Sequence, residues 1–258
     1  MNIYVCIKQV PDTETKIKLN ADKSNIDTAG IKWVMNPYDE FAVEEAIQLK
    51  SKTEGSNLKV ITVGPKSRVT DALRTALAMG ADEALLIDAP ESIDTFNTAK
   101  ALAAAIKQEG EPFQVFTGKQ AIDDNAASVS QMLAEFLEIP HATVISKFEK
   151  SSDSAVVERE VEGGKKEVIE LKGPSVVAAN KGLNKPRYAS LPNIMKAKKK
   201  PVKEIELSSL GVNADQAKLK FTNFELPAEK PPVKMIEGEA DQQAKELVRL
   251  LREEAKVI

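Results

Sequence analysis

Short apolar runs that alternate with amphipathic segments constrain this chain more than any other feature. Asn2 to Val10 (NIYVCIKQV) is nearly continuous in apolar residues, as in a central strand buried on both faces. Asn57 to Gly64, Ala84 to Asp88 and Phe113 to Phe116 repeat the signal. Between them lie stretches of helical spacing. Phe41, Ala42, Ala46, Ile47 and Leu49 follow Pro37. Val69, Leu73, Ala76 and Leu77 mark a helix over Arg68–Met79, and another spans Thr95–Lys107. This rhythm predicts βαβ units, a parallel sheet and right-handed crossovers. The predicted class is α/β, a doubly wound and mostly parallel sheet.

The pattern changes after Leu137. Ala142–Phe148, Ala155–Val161 and Glu167–Leu171 are strand-like, and Glu162-Gly163-Gly164-Lys165 is a hairpin signal. With one more apolar strand at Pro174–Ala179, they predict an antiparallel addition on one side. Lys16–Asn20 alternates as a small strand, with Ile31–Val34 as its expected partner. From Lys181 the core rhythm stops. Pro201–Pro232 reads as extended and irregular, and Glu237–Glu254 as a helix with Ala240, Ala244, Leu247, Leu250 and Leu251 on one face. Residues 1–190 are the expected nucleotide-binding domain. Residues 191–258 are an expected recognition loop and C-terminal arm, whose apolar stripe needs a further surface.

The ligand is expected at Gly118–Asp124, between the Phe113–Phe116 strand and a helix read from Asn125 to Leu137. Such turns sit at the carboxyl ends of strands, where open α/β sheets bind ligands. Gly118 permits close approach to the backbone, and the helix start offers unpaired amides to an anion. Ser128 and Ser130 add hydroxyls. Asp123, Asp124 and Asn125 are equally ordinary helix caps, and the spacing matches neither a P-loop nor a dinucleotide fingerprint. Lys8 either points into this crevice or ends its strand in solvent.

Scarcity narrows the chemistry. The 258 residues hold one His (His141), one Cys (Cys6) and one Trp (Trp33). Two-His and CxxC metal sites are impossible, and so is an internal disulfide, which favours an interior compartment. His141 reads as the entry to a strand. A net charge of −3 gives no reason to expect nucleic acid, and no apolar run approaches membrane-spanning length. A bound group or a partner must supply the chemistry.

Several stretches together resemble the beta subunits of electron transfer flavoproteins. They are Val5–Val10, Met35–Ala46, Arg74–Asp82, Gly118–Asp124, Val157–Gly164 and Pro186–Lys200. The resemblance runs from the first strand to about Gly211. It implies a Rossmann-like fold related to the adenine nucleotide alpha hydrolases. It also implies a heterodimer whose alpha subunit carries most of an FAD site, while this chain holds a structural AMP. By similarity AMP contacts Cys6, Asn36, Pro37, Tyr38, Asp39, Val63 and the loop Gly118, Lys119, Gln120, Ala121, Ile122, Asp123, Asp124, Asn125, Ala126, Ala127, Ser128 and Val129. Mammalian members carry polar residues where this chain has Ala127 and Val129, so contacts there fall to the backbone.

The resemblance further implies that Leu191 anchors a docking segment with Pro192, Asn193, Ile194, Met195, Lys196, Ala197, Lys198, Lys199 and Lys200. Its partners would be acyl-CoA dehydrogenase-type flavoproteins of fatty acid beta-oxidation, with a quinone oxidoreductase receiving the electrons. Glu160 would pair with an alpha-subunit arginine, and Tyr38 would lie by the flavin, whereas the aromatic expected near Thr13 is absent. The implied role is electron transport without bond chemistry of its own, in bacterial cytoplasm or mitochondrial matrix. Electron-bifurcating relatives place a second FAD where AMP is expected, and tend to have Gly at the position of Asp124. An extra carboxylate there disfavours a longer polyphosphate. A stand-alone adenine-nucleotide-binding regulator and a hydrolase using the loop carboxylates are the other readings.

Overall fold

The computed structural model describes residues 1–258. The chain divides into two compact units, Met1–Lys16 with Asp27–Thr222, and Ile17–Ile26 with Asn223–Ile258.

In the first unit, β1 (Asn2–Cys6) is an inner strand, the fourth of nine in one sheet. The chain continues through β2 (Gln9–Pro11), β3 (Trp33–Met35), α1 (Pro37–Lys52), β4 (Asn57–Gly64), α2 (Lys66–Met79), β5 (Glu83–Asp88), α3 (Thr95–Glu109) and β6 (Pro112–Gly118). It goes on as α4 (Val129–Leu137), β7 (His141–Lys150), β8 (Ser154–Val161), β9 (Lys165–Lys172), β10 (Val176–Ala179), α5 (Leu191–Ala197) and β11 (Val202–Glu206). The sheet order is β11-β5-β4-β1-β6-β10-β7-β8-β9. Pairing is parallel from β11 to β7 and antiparallel through β8 and β9, the expected addition.

Alternation along β1 explains the double winding, because successive side chains face opposite sides of a sheet. Ile3, Val5 and Ile7 enter one core with α1 and α2, through Ala42, Val43, Leu73 and Leu77. Tyr4 and Cys6 enter the other with α3 and α4, through Leu102, Ile106 and Leu133. Connections from β1 run outward to β4 and β5. The chain then crosses back through α3 to β6, on the other side of β1. The strand order therefore reverses between β1 and β6.

Four local expectations need correction. The Asn2–Val10 run breaks at Ile7, and Gln9–Pro11 pairs antiparallel with β3 in a separate two-stranded sheet. Ile31–Val34 therefore does not pair with Lys16–Asn20; in the second unit Leu19 instead bridges Ile26. The helix expected from Asn125 begins at Val129, because Asn125 and Ala127 take positive φ values of 50° and 48°, which no α-helix accommodates. Pro201–Pro232 is not wholly irregular, since β11 extends the sheet beside β5. Its inward-facing Ile205 is the one buried residue in a charged stretch, too little alternation to read as a strand.

The second unit contains α6 (Ala240–Glu253), opened by a capping box between Glu239 and Gln242. Arg249 pairs with Glu246 and Glu253 along it. Leu247 and Val248 are exposed.

Candidate functional site at the strand-order reversal

The reversal between β1 and β6 opens a crevice at the strands' carboxyl ends, and three segments meet there. Asn36 precedes α1, Lys8 follows β1, and Lys119–Ser128 follows β6, which ends at Gly118. Asp39, in the first turn of α1, ties all three. Its Oδ2 accepts from the Lys8 amide at 2.7 Å and its Oδ1 from the Gly118 amide at 3.0 Å. Asn36 completes the junction. Its Nδ2 donates to Gln120 O at 2.9 Å, and its Oδ1 accepts from the Ile122 amide at 3.2 Å.

Gly118 is required by close approach. A Cβ there would collide with Asp39 Oδ1 and come within 2.8 Å of Tyr38 Cβ. The glycine therefore serves the packing of α1 against the strand end, a reason distinct from room for a ligand. Burial pushes the Asp39 carboxyl up to about 7, against the pull of the Lys8 and Gly118 amides and of Asn36. Burial also raises the Cys6 thiol, with Asp39 adding to the effect, so Cys6 packs as an unreactive thiol.

Lys8 points into the crevice, which settles its two readings. Its Nζ lies 2.8 Å from Asp123 and 2.9 Å from Asp124. Burial opposes its charge, but the two carboxylates outweigh that and raise its pKa. Lys119 Nζ sits 4.9 Å from the Tyr38 ring centre. The loop then alternates in backbone hand through Asn125 and Ala127, the kind of turn whose amides make anion-binding concavities. The first amides of α4 lack intrahelical acceptors, and Ser128 makes no capping hydrogen bond to them. Ser130 is turned inward, its hydroxyl 2.7 Å from Thr117 Oγ1, so it offers the crevice nothing.

Cys6 and Val63 stand at the ends of β1 and β4, and Pro37 opens α1. Ala121, Ala126 and Val129 lie along the same loop and helix start. A shallow depression lined by Pro65, Lys66, Ser67, Asp88, Ala89 and Pro90 lies farther out, at the ends of β4 and β5. It is away from the reversal. His141, exposed at the start of β7, has no part in the crevice. No group of three or more metal-ligating side chains occurs.

The expected docking residues form a separate feature. Leu191–Ala197 is a helix, capped by Ser190. Leu191 is 74% exposed, and Ile194 and Met195 are exposed beside it. Lys196, Lys198 and Lys199 face solvent, whereas Ala197 is buried and Lys200 Nζ donates to Ala81 O. Arg74, on α2, caps the helix by donating to Ala197 O and Lys200 O. Glu160, on β8, accepts from Asn180 Nδ2 at 3.1 Å.

Comparison with known proteins agrees with this architecture. The family model of the electron transfer flavoprotein domain matches residues 24–210. The chain belongs to the electron transfer flavoprotein beta subunits. It is 44% identical to the electron transfer flavoprotein subunit beta of Bacillus subtilis (strain 168), over all of both chains. The Bradyrhizobium diazoefficiens subunit beta is 40% identical, again over all of both chains. The Mus musculus subunit beta is 40% identical over 95% of this chain and 96% of its own. Flavin-associated electron transport is thus the family's business. No helix is long and apolar enough to cross a membrane.

The resemblance read from the sequence therefore holds at the level of family and fold. Sequence reasoning missed the polar junction that assembles the crevice. The resemblance marked Asn36 and Asp39 as nucleotide contacts, but nothing in the sequence shows that their side chains fasten Lys8, Gly118, Gln120 and Ile122 together.

Proposed function

We propose that this chain is the nucleotide-holding and docking subunit of a heterodimeric electron carrier. AMP occupies the crevice at the β1–β6 reversal. An alpha subunit carries most of an FAD site, and FAD supplies the redox chemistry when bound. Acyl-CoA dehydrogenase-type flavoproteins dock on α5 and deliver electrons, which leave to a quinone oxidoreductase.

The observation that carries the nucleotide reading is the three-segment junction at Asp39 with Lys8 beside it. Its donor set suits a nucleoside monophosphate. Lys119 supplies positive charge, and the amides at the start of α4 supply hydrogen bonds. Gln131 Oε1, in that first turn, is buried without a donor in the chain, and a ribose hydroxyl or adenine amine has one to give. Asp123 and Asp124 already partner Lys8, so additional phosphates meet carboxylates. This argues for AMP over a second FAD.

Docking rests on Leu191, an exposed aliphatic anchor on a short capped helix with lysines around it. Those lysines favour an acidic partner surface. Glu160, held by Asn180, is the side chain proposed to meet an alpha-subunit arginine.

Co-expression with the alpha subunit and cofactor analysis of the purified dimer tests the reading. One FAD and one AMP per dimer is the expected result. Two FAD and no AMP places the chain in the bifurcating branch. A colourless chain that ignores the alpha subunit makes it a stand-alone nucleotide binder.

A further inference from the structure

The stretch Lys181–Ser190, between β10 and α5, has no regular secondary structure. No ladder fixes where it delivers α5. Its polar fastening is to α1. Asn184 Nδ2 donates to Phe41 O and to Glu45 Oε2, both at 2.9 Å. Arg187 forks onto the buried carboxylate of Glu44, with Nε 2.7 Å from Oε2 and Nη2 2.9 Å from Oε1. The Arg187 amide adds a third bond to Oε2, and Gln48 Nε2 holds Oε1 at 3.0 Å.

Burial works against the Glu44 charge, yet Arg187 and Gln48 outweigh it and keep the carboxyl below its usual range. A two-point fork fixes both position and angle, which a lysine's single ammonium cannot do. Immediately beyond the fork, Tyr188 is 99% exposed, and then Ser190 caps the helix that presents Leu191.

We infer that Glu44 and Arg187 are positioning residues for partner docking: their fork on α1 fixes the angle at which α5 presents Leu191. This rests on the docking role proposed above for Leu191. The far end of α5 is held independently by Arg74 on α2, so the fork acts on the leading end, where Leu191 lies. Asn36, immediately before the same α1, and Asp39, in its first turn, belong to the crevice. One helix therefore carries both devices.

The test uses the complete heterodimer with its alpha subunit, reduced by an acyl-CoA dehydrogenase under steady-state conditions. Arg187→Lys keeps the charge and loses the fork. The pair Glu44→Gln/Arg187→Gln removes both charges together, which avoids stranding a buried carboxylate. For either variant we expect the KM for the heterodimer to rise about fivefold, with kcat, FAD and nucleotide content retained. Adding Leu191→Ala to either variant raises KM no further than Leu191→Ala alone, because the fork works through that residue.

An unchanged KM where Leu191→Ala raises it overturns the inference and leaves the docking role standing. So do additive effects, or a loss of flavin or nucleotide that tracks the KM change. A silent Leu191→Ala overturns the docking role itself, and the inference with it.

Discussion

Asp39 concentrates the electrostatic cost of the crevice in a single side chain. Its carboxyl is buried, and burial raises its pKa to about 7 from the 3.8 of an aspartate in water. Between those values the folded chain binds a proton that the unfolded chain has released. Asp39 thus contributes stability that is full below about pH 4 and is lost as pH rises through about 7. Asp39→Asn will flatten that part of the curve, as Tm measured from pH 4 to pH 8 against the parent will report. Gly118→Ala tests the junction sterically. Its Cβ meets Tyr38 and Asp39, and overpacking of this kind costs about 1–3 kcal/mol. A lowered Tm together with lost AMP is the expected pair of results. Leu191→Ala is expected to leave cofactor content intact and to raise KM for the dehydrogenase about tenfold, the scale of a lost anchor.

At the level of elements, the sequence was most informative where periodicity is strong. The central strands, α1, α2, α3 and the antiparallel hairpin were all legible from apolar spacing. What escaped were features set by distant partners or by backbone hand. Asn125 reads as a cap and Ala127 as a helix former, and only their positive φ delays α4 to Val129. β11 escaped because Ile205 alone faces the core. The crevice turn was legible from Gly118, while its junction with Asn36 and Asp39 was not. Another distant fastening joins α3 to the end of the first unit. Asp94 caps α3 through the Asn97 amide and also accepts from the amides of Lys218 and Leu219. Burial opposes its charge, but these amides outweigh it and hold the carboxyl below its usual range. Asp94→Ala is expected to cost about 0.5–2 kcal/mol as a lost cap. It will also speed trypsin cleavage at Lys218, a site that chemical denaturation alone does not single out.

For the whole molecule, the division of labour follows from where apolar surface is satisfied. The first unit buries two cores on the two faces of one sheet. The second has α6, 14 residues long, with no buried residue. A helix of that length is marginal in water by itself, so its stripe needs a covering surface, and the alpha subunit of the proposed heterodimer is expected to supply it. A chain ending at Thr222 is expected to keep its fold by circular dichroism and to fail to co-purify with the alpha subunit. β10 has a different consequence. Val176–Ala179 is the only joint between β6 and β7, yet it leaves the ribosome after the whole β7–β8–β9 hairpin. Until those four residues emerge, the nascent polypeptide carries two raw edges that are each other's future neighbours at one remove. Such edges invite foreign strands, so synthesis halted before Ser175 leaves a product prone to clumping, and this late tetrapeptide acts as the keystone that shuts the sheet to strangers.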